Sequence, residues 1–155
     1  MTITSTAFAN QAGIPRHFTG DGEDVSPPLA WTAVPAHAKE LALVVEDPDA
    51  PTPEPWVHWL LYKIPPTATG LPEGVPASGS LSEPAGALQG LNSWDEIGYR
   101  GPAPPKGHGV HHYHFRLYAL DAPLEIGPGS KKKAILSAIE GHILAQAELV
   151  ATYDR

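Results

Sequence analysis

Proline is the residue that most constrains this chain, because eighteen of the 155 residues are proline and fifteen more are glycine. Proline lacks the backbone N–H that a strand ladder needs, and it breaks helix interiors. Much of the chain must therefore form ordered loops and turns between short strands. Apolar clusters separated by such turns predict a fold dominated by β-structure. The length fits one hydrophobic core, so we expect a single domain over residues 1–155.

The rest of the composition excludes several classes of function. Binding to nucleic acid requires a basic surface, but the net charge is −7 and the only basic run is Lys131-Lys132-Lys133, interpreted here as a solvated helix start. The chain has no cysteine, which excludes disulfides and thiolate metal sites. It shows no signal peptide and no apolar stretch of the roughly 18 residues that span a bilayer. We therefore expect a cytoplasmic protein without a transmembrane segment.

Three segments read as the main strands. Residues 41–45 form a continuous apolar run, typical of a strand covered on both faces. In the segment His111–Leu120 alternation places His111 and Tyr113 on the more apolar face, at the rim of the core. In the segment Trp56–Ile64 strict alternation places five side chains on one face, namely Trp56, His58, Leu60, Tyr62 and Ile64.

The C-terminal part and the long central loop complete the outline. Ile135, Ile139 and Ile143 recur at helical spacing and predict a helix, and residues 148–153 favour a closing strand. Residues 65–105 are rich in proline and read as loop with a few short strands. Loops of that length inside a compact domain are usually functional.

Polar side chains at three places in the sequence suggest a pocket. Asp47 and Asp49 follow a predicted strand, His58 stands among apolar residues, and four histidines lie close in sequence, at positions 108, 111, 112 and 114. Imidazole and carboxylate together suit zinc or iron. Because His112 and His114 fall on the opposite strand face from His111, a metal would need His58 and His111 with one of the two aspartates. A hydrolase, metal-dependent or not, could use His58 or His111 as base or ligand, although no Gly-x-Ser-x-Gly elbow is present.

Three motifs in order resemble those of the phosphatidylethanolamine-binding (Raf-kinase-inhibitor-like) family. The first is Ser26-Pro27-Pro28-Leu29 with Trp31, and the second is Asp47-Pro48-Asp49-Ala50-Pro51 followed by Trp56-Val57-His58-Trp59. The third runs from Gly98-Tyr99-Arg100-Gly101-Pro102 through Pro105-Lys106-Gly107 into His111-His112-Tyr113-His114-Phe115. Their order and spacing are similar to those of the small bacterial and archaeal branch, and the resemblance runs from the first strand to the C-terminus.

This resemblance implies a fold, a site and a class of function. The implied fold is mainly β, an antiparallel β-sandwich with a C-terminal helix beside the pocket, and a cis peptide is implied at Ala50-Pro51. The implied function is a non-catalytic binding protein for a small anion such as phosphate or a phospholipid head group, without a cofactor or a metal. Carried over by position, the ligand-binding residues would be Asp47, Asp49, Trp56, His58, Gly101, Pro105, His111 and Tyr113.

Charge offers a physical account of such a pocket. Histidine has a pKa near 6.5 and donates two hydrogen bonds when charged, so His58 and His111 could hold an anion with help from the hydroxyl of Tyr113. The aspartates would orient the histidines and raise their basicity. The resemblance also suggests inhibition or regulation of kinases or proteases. A homodimer is a further expectation, and its candidate contact residues are whichever of the tryptophans Trp31, Trp59 and Trp94 are exposed.

Overall fold

Two sheets, one α-helix and a short 3-10 helix (Arg16–Phe18) make up the computed structural model, which describes residues 1–155. The elements in chain order are β1 (Thr2–Thr4), β2 (Ala12–Gly13), β3 (Leu29–Thr32), β4 (Glu40–Asp47), β5 (Trp56–Ile64), β6 (Gly70–Leu71), β7 (Leu88–Gln89), β8 (His111–Leu120), α1 (Lys132–Ile139) and β9 (Ile143–Tyr153). The small sheet has the order β1-β3-β6 and the large sheet the order β2-β9-β8-β4-β5-β7. Every strand pair is antiparallel except β2 with β9.

Apolar side chains cover both faces of the large sheet. One face packs on the small sheet, where Trp31 meets residues such as Leu43 and Phe115 in the main core. The other face forms a second cluster in which Ile135 of α1 packs with Val44 and its neighbours. Strand β4 is therefore buried on both sides, as its apolar run predicts. The β-sandwich expected from the sequence is confirmed, and the helix lies on the outer face of the large sheet.

The helix is shorter than its apolar spacing predicts. Helix α1 ends at Ile139, and Gly141 reverses the chain in the left-handed region with φ of 80°. Ile143 therefore begins β9, and its predicted place on the helix is wrong. The closing strand predicted for residues 148–153 is confirmed, although it starts five residues earlier. No helix in this structure has the length and apolar character needed to cross a membrane.

Strand β5 departs from the alternation predicted for it. Val45 pairs with Trp59 while the next residue of β4, Glu46, pairs with Val57, so His58 is the extra residue of a β-bulge. Leu60 and Tyr62 then face the helix side of the sheet, whereas His58 turns toward Tyr113. The predicted common face for these side chains is therefore wrong, because a bulge shifts the alternation by one residue.

Two of the tryptophans considered for contact between copies are buried. The side chains of Trp31 and Trp59 lie in the core with exposures of 3% and 0%. Each indole N–H is also satisfied, since Trp31 donates to the carbonyl of Ala68 and Trp59 donates to the side-chain oxygen of Gln89, both at 2.7 Å. Of the three tryptophans, Trp94 alone therefore remains a candidate for a dimer contact.

Candidate functional site

A cavity of about 230 Å³ lies where β4 ends and where β5 and β8 begin. Its twelve lining residues are Asp47, Ala50, Pro51, Thr52, Trp56, His58, Trp94, Ala103, Pro104, Pro105, His111 and Tyr113. The large sheet supplies most of the polar groups, and the loops between β4 and β5 and between β7 and β8 supply most of the walls. The lining includes one carboxylate, two imidazoles and one phenol, but no lysine or arginine.

The bulge in β5 fixes the position of His58, and a hydrogen bond to the carbonyl of Arg100 fixes its tautomer. Its ring lies edge-on to Trp94 and to Tyr113, with centroid separations of 5.0 and 5.1 Å. Nδ1 lies 2.6 Å from the carbonyl oxygen of Arg100, and a carbonyl can only accept, so Nδ1 carries the proton. Burial lowers the pKa of His58 to about 4. The ring is therefore neutral at pH 7, and its Nε2 is an acceptor.

Nε2 of His58 reaches the cavity. The only buried side-chain nitrogen or oxygen outside the hydrogen-bond network is Nδ1 of His114, which lies on the opposite face of β8, 3.1 Å from a carboxylate oxygen of Glu148. Since Nε2 of His58 has no protein partner and is not sealed in the interior, it faces the space that the ring lines. The expectation that a charged His58 holds an anion therefore needs revision, because the free ring presents a lone pair at neutral pH.

A chain of hydrogen bonds runs along the floor of the cavity through His111. Its Nδ1 donates to Oδ2 of Asp47 at 2.6 Å, and its Nε2 lies 2.6 Å from Nδ1 of His108. The other carboxylate oxygen of Asp47 accepts the backbone N–H of Asp49 at 2.8 Å. Asp47 thus orients His111, as expected from the sequence, but a second histidine occupies the nitrogen that would otherwise be free for a ligand.

The loop that carries His108 takes its shape from two glycines. Gly107 and Gly109 have backbone φ angles of 77° and 96°, which residues that carry a Cβ rarely adopt. They place His108 at the surface while its ring reaches back to His111.

The hydroxyl of Tyr113 is a free donor in the cavity. None of the hydrogen bonds that organise the lining uses it, whereas the hydroxyl of Thr52 already donates to the carbonyl of Glu54 at 2.5 Å. Burial, together with the charges of Asp47 and Asp49, holds the pKa of Tyr113 well above its usual value. The phenol therefore keeps its proton at any physiological pH and can donate it to an acceptor in the cavity.

Two tryptophans form an aromatic wall. The rings of Trp56 and Trp94 meet edge-to-face at 5.4 Å, and the guanidinium of Arg100 lies 4.6 Å from the ring centroid of Trp94. The buried side chain of Asn92 shapes the turn that carries Trp94, because its Oδ1 accepts the backbone N–H of Trp94 at 3.0 Å.

Six of the eight ligand-binding residues predicted from sequence line the cavity, and two do not. The six are Asp47, Trp56, His58, Pro105, His111 and Tyr113. Asp49 instead accepts the backbone N–H and the Nδ1–H of His112, both at 2.8 Å. Gly101 donates its N–H to Asp24 at 2.7 Å, and an added Cβ would lie 2.1 Å from a neighbouring carbonyl oxygen. These two residues hold the surrounding loops and do not form the lining.

Sequence reasoning missed the remaining lining residues and His108 as a partner of His111. Ala50, Pro51, Ala103 and Pro104 belong to the motifs described above and could have been included on that basis. For Trp94 the sequence carries no comparable signal.

The peptide between Ala50 and Pro51 is trans, so the implied cis bond is wrong, and the cis peptide of this structure joins Glu83 to Pro84. No group of three or more His, Asp or Glu side chains is placed to hold a metal ion.

Comparisons with known proteins agree on one family. The family model described as phosphatidylethanolamine-binding protein matches residues 4–154. A protein of Methanothermobacter thermautotrophicus named UPF0098 is 50% identical over 100% of this chain and 99% of its own length. A UPF0098 protein of Pyrococcus horikoshii is 44% identical over 97% of this chain and 75% of its own length.

Solved structures show the same relationship. A crystal structure of a phosphatidylethanolamine-binding protein homolog from Chlamydia trachomatis has a TM-score of 0.89 and 40% identity, with coverage of 99% of this chain and 97% of that one. The crystal structure of Escherichia coli YbcL, described as a new member of the mammalian family, has a TM-score of 0.92 and 32% identity, with coverage of 99% and 98%.

Proposed function

We propose that this chain, which belongs to the phosphatidylethanolamine-binding protein family, is a non-catalytic binding protein whose cavity takes the phosphate-type head of a small anion. The observation that carries the proposal is the pairing of two polar groups without protein partners in one cavity. The hydroxyl of Tyr113 can donate to an anionic oxygen, and Nε2 of His58 can share a proton with another. Both groups are held rigidly, because they project from adjacent ends of buried strands.

The size of the cavity supports a small ligand. About 230 Å³ is below the roughly 300–1,000 Å³ typical of pockets for drug-sized molecules. A phosphate with a short substituent fits such a volume, whereas acyl chains do not. The aromatic wall of Trp56 and Trp94 offers an apolar surface for the substituent, and a cationic amine there would gain from the ring faces.

Calorimetric titration of phosphate and phosphoethanolamine into the wild-type protein and the His58→Ala variant tests the proposal. We expect saturable binding by the wild type and its loss in the variant. The matched control is His37→Ala, which removes an exposed histidine from the loop between β3 and β4, outside the cavity. Absence of binding to the wild type would overturn the proposal, and so would equal binding by the His58→Ala variant.

A further inference from the structure

The hydrogen-bond chain on the floor of the cavity ends at an exposed imidazole outside it. Asp47 and His111 are buried, with exposures of 3% and 1%, whereas His108 lies at the surface and does not line the cavity. Nδ1 of His111 lies 2.6 Å from the carboxylate of Asp47, and Nε2 of His111 lies 2.6 Å from Nδ1 of His108. The three side chains therefore form a continuous relay from a buried acid to solvent.

The buried acid fixes the position of each proton in this relay. A carboxylate only accepts, so in the neutral ring of His111 the proton lies on Nδ1 and the lone pair on Nε2. That lone pair accepts from His108, so the proton of the His108 ring lies on Nδ1. Nε2 of His108 has no protein partner and therefore presents its lone pair to solvent.

This arrangement is that of a nucleophile with an adjacent base. Histidine is among the side chains that form covalent intermediates, and an activated nucleophile lies within hydrogen-bond reach of a base that a third group orients. Here His108 is the nucleophile and His111 is the base that takes up its Nδ1 proton. Asp47 is the positioning residue, because its carboxylate orients His111 and stabilises the charge that forms on it.

The other accessible histidines lack such a relay. No hydrogen bond holds the exposed ring of His37. The rings of His17, His112 and His142 bond carboxylates directly, but those carboxylates are 41–66% exposed. Because water stabilises and screens an exposed carboxylate, its effect on a neighbouring ring is small. We therefore expect His108 to be the most nucleophilic of the accessible rings.

Charge on the same loop favours a phosphoryl group over a neutral acyl group. Lys106 lies two residues before His108, is exposed and pairs with no carboxylate. A phosphoryl group carries nearly two negative charges at neutral pH, and an unpaired ammonium nearby stabilises it.

We propose that His108 is a phosphoryl-acceptor site, modified at Nε2 by a reactive donor of the phosphoramidate or acyl-phosphate class. The Nε2 lone pair forms the N–P bond while the bond from phosphorus to the leaving atom of the donor breaks, and the leaving atom keeps the electron pair. The Nδ1 proton of His108 passes to Nε2 of His111. The modified protein thus holds a charged His111 beside the carboxylate of Asp47, in the lining of the cavity.

Phosphoramidate is the probe, and the histidines of one chain serve as controls for each other. The wild-type protein is incubated with it at neutral pH, and mass spectrometry follows the modification of each histidine with time. We expect His108 to react at least about tenfold faster than His37, because a positioned base contributes about 10²–10⁴-fold to proton transfer in such reactions. A rate at His108 no greater than that at His37, His112 or His142 would overturn the inference.

The nitrogen that carries the phosphoryl group is the second readout. The relay leaves Nε2 of His108 free and occupies Nδ1, so phosphorus-31 NMR should show the Nε2 isomer of phosphohistidine. Attachment at Nδ1 would overturn the inference. Nitrogen-15 NMR of the unmodified protein should show Nε2 of His108 without a proton, and a proton on that nitrogen would contradict the relay.

Two variants separate the nucleophile from the relay. His108→Gln should lose the fast reaction and keep the slow one at His37. Asp47→Asn should slow the modification of His108 toward the rate at His37, because an amide stabilises a charged His111 less than a carboxylate does. A thermal unfolding transition shows whether this variant is folded, and the comparison of histidines within the wild type does not depend on it. Fast modification of His108 in folded Asp47→Asn would overturn the inference.

Discussion

Lowering the pH from 7 to 4.5 is expected to destabilise this protein through His58. The imidazole is 3% exposed, and its pKa falls from 6.5 to about 4 because burial disfavours the charged ring. The unfolded chain therefore binds a proton between these two values that the native protein does not. Since the state with more bound protons gains as the pH falls, the free energy of unfolding decreases through this window and is level below it.

The magnitude follows from the shift in pKa. Each unit corresponds to about 1.36 kcal/mol, so the full difference between 6.5 and about 4 is worth about 3.4 kcal/mol. At pH 4.5 most of it, about 2.5 kcal/mol, is already lost. Because Nε2 of the ring reaches the cavity, this figure is an upper limit.

Urea unfolding at pH 7.0 and pH 4.5 measures the effect when the wild type is compared with His58→Asn. The variant keeps a donor for the carbonyl of Arg100, but the side chain at position 58 no longer titrates. We expect acid to cost the wild type about 2.5 kcal/mol more than the variant, and His37→Ala to behave like the wild type. The reasoning would be refuted if acid lowered the free energy of unfolding equally in the wild type and in His58→Asn. An NMR titration of the His58 ring with a midpoint near pH 6.5 would also refute it.

Three further substitutions give sharp expectations. His108→Ala should strengthen phosphate binding about fivefold in calorimetry, because Nε2 of His111 loses a hydrogen-bond partner worth about 1 kcal/mol; weaker binding would mean that His108 contacts the ligand. Gly101→Ala should lower the melting temperature by about 4 °C or more, since the new Cβ would lie 2.1 Å from a carbonyl oxygen; an unchanged calorimetric transition would contradict this. Trp59→Phe should reduce the urea unfolding free energy by about 1–3 kcal/mol, because the buried oxygen of Gln89 loses its donor; a loss below about 0.5 kcal/mol would show that water replaces the indole.

Sequence patterns predicted those parts of the fold that depend on local periodicity. The apolar run in β4 and the alternation in β8 are properties of a strand and its two faces, and both are confirmed. The position of His58 could not be predicted in this way. Its bulge depends on how β5 pairs with β4, and that register is visible only when both strands are in place.

The residues of the candidate site likewise divide into those that sequence motifs predicted and those that depend on tertiary structure. Motifs in sequence lead to most of the lining, because residues at the ends of adjacent strands must converge. The place of Trp94 depends on a turn built around the buried amide of Asn92, inside a loop without periodicity. The contact between His108 and His111 depends on the course of a glycine-flanked loop. These are tertiary features, and composition or spacing does not reveal them.

The parallel pairing of β2 with β9 has a consequence for the rate of folding. It joins Ala12 to Ala151, so the large sheet is completed only when segments from nearly opposite ends of the chain meet. The entropy of closing so long a loop must be lost before the contact stabilises anything, and folds rich in such contacts form in milliseconds to seconds. We therefore expect the central hairpin of β4 and β5 to form early, with the β2 edge joining among the last steps.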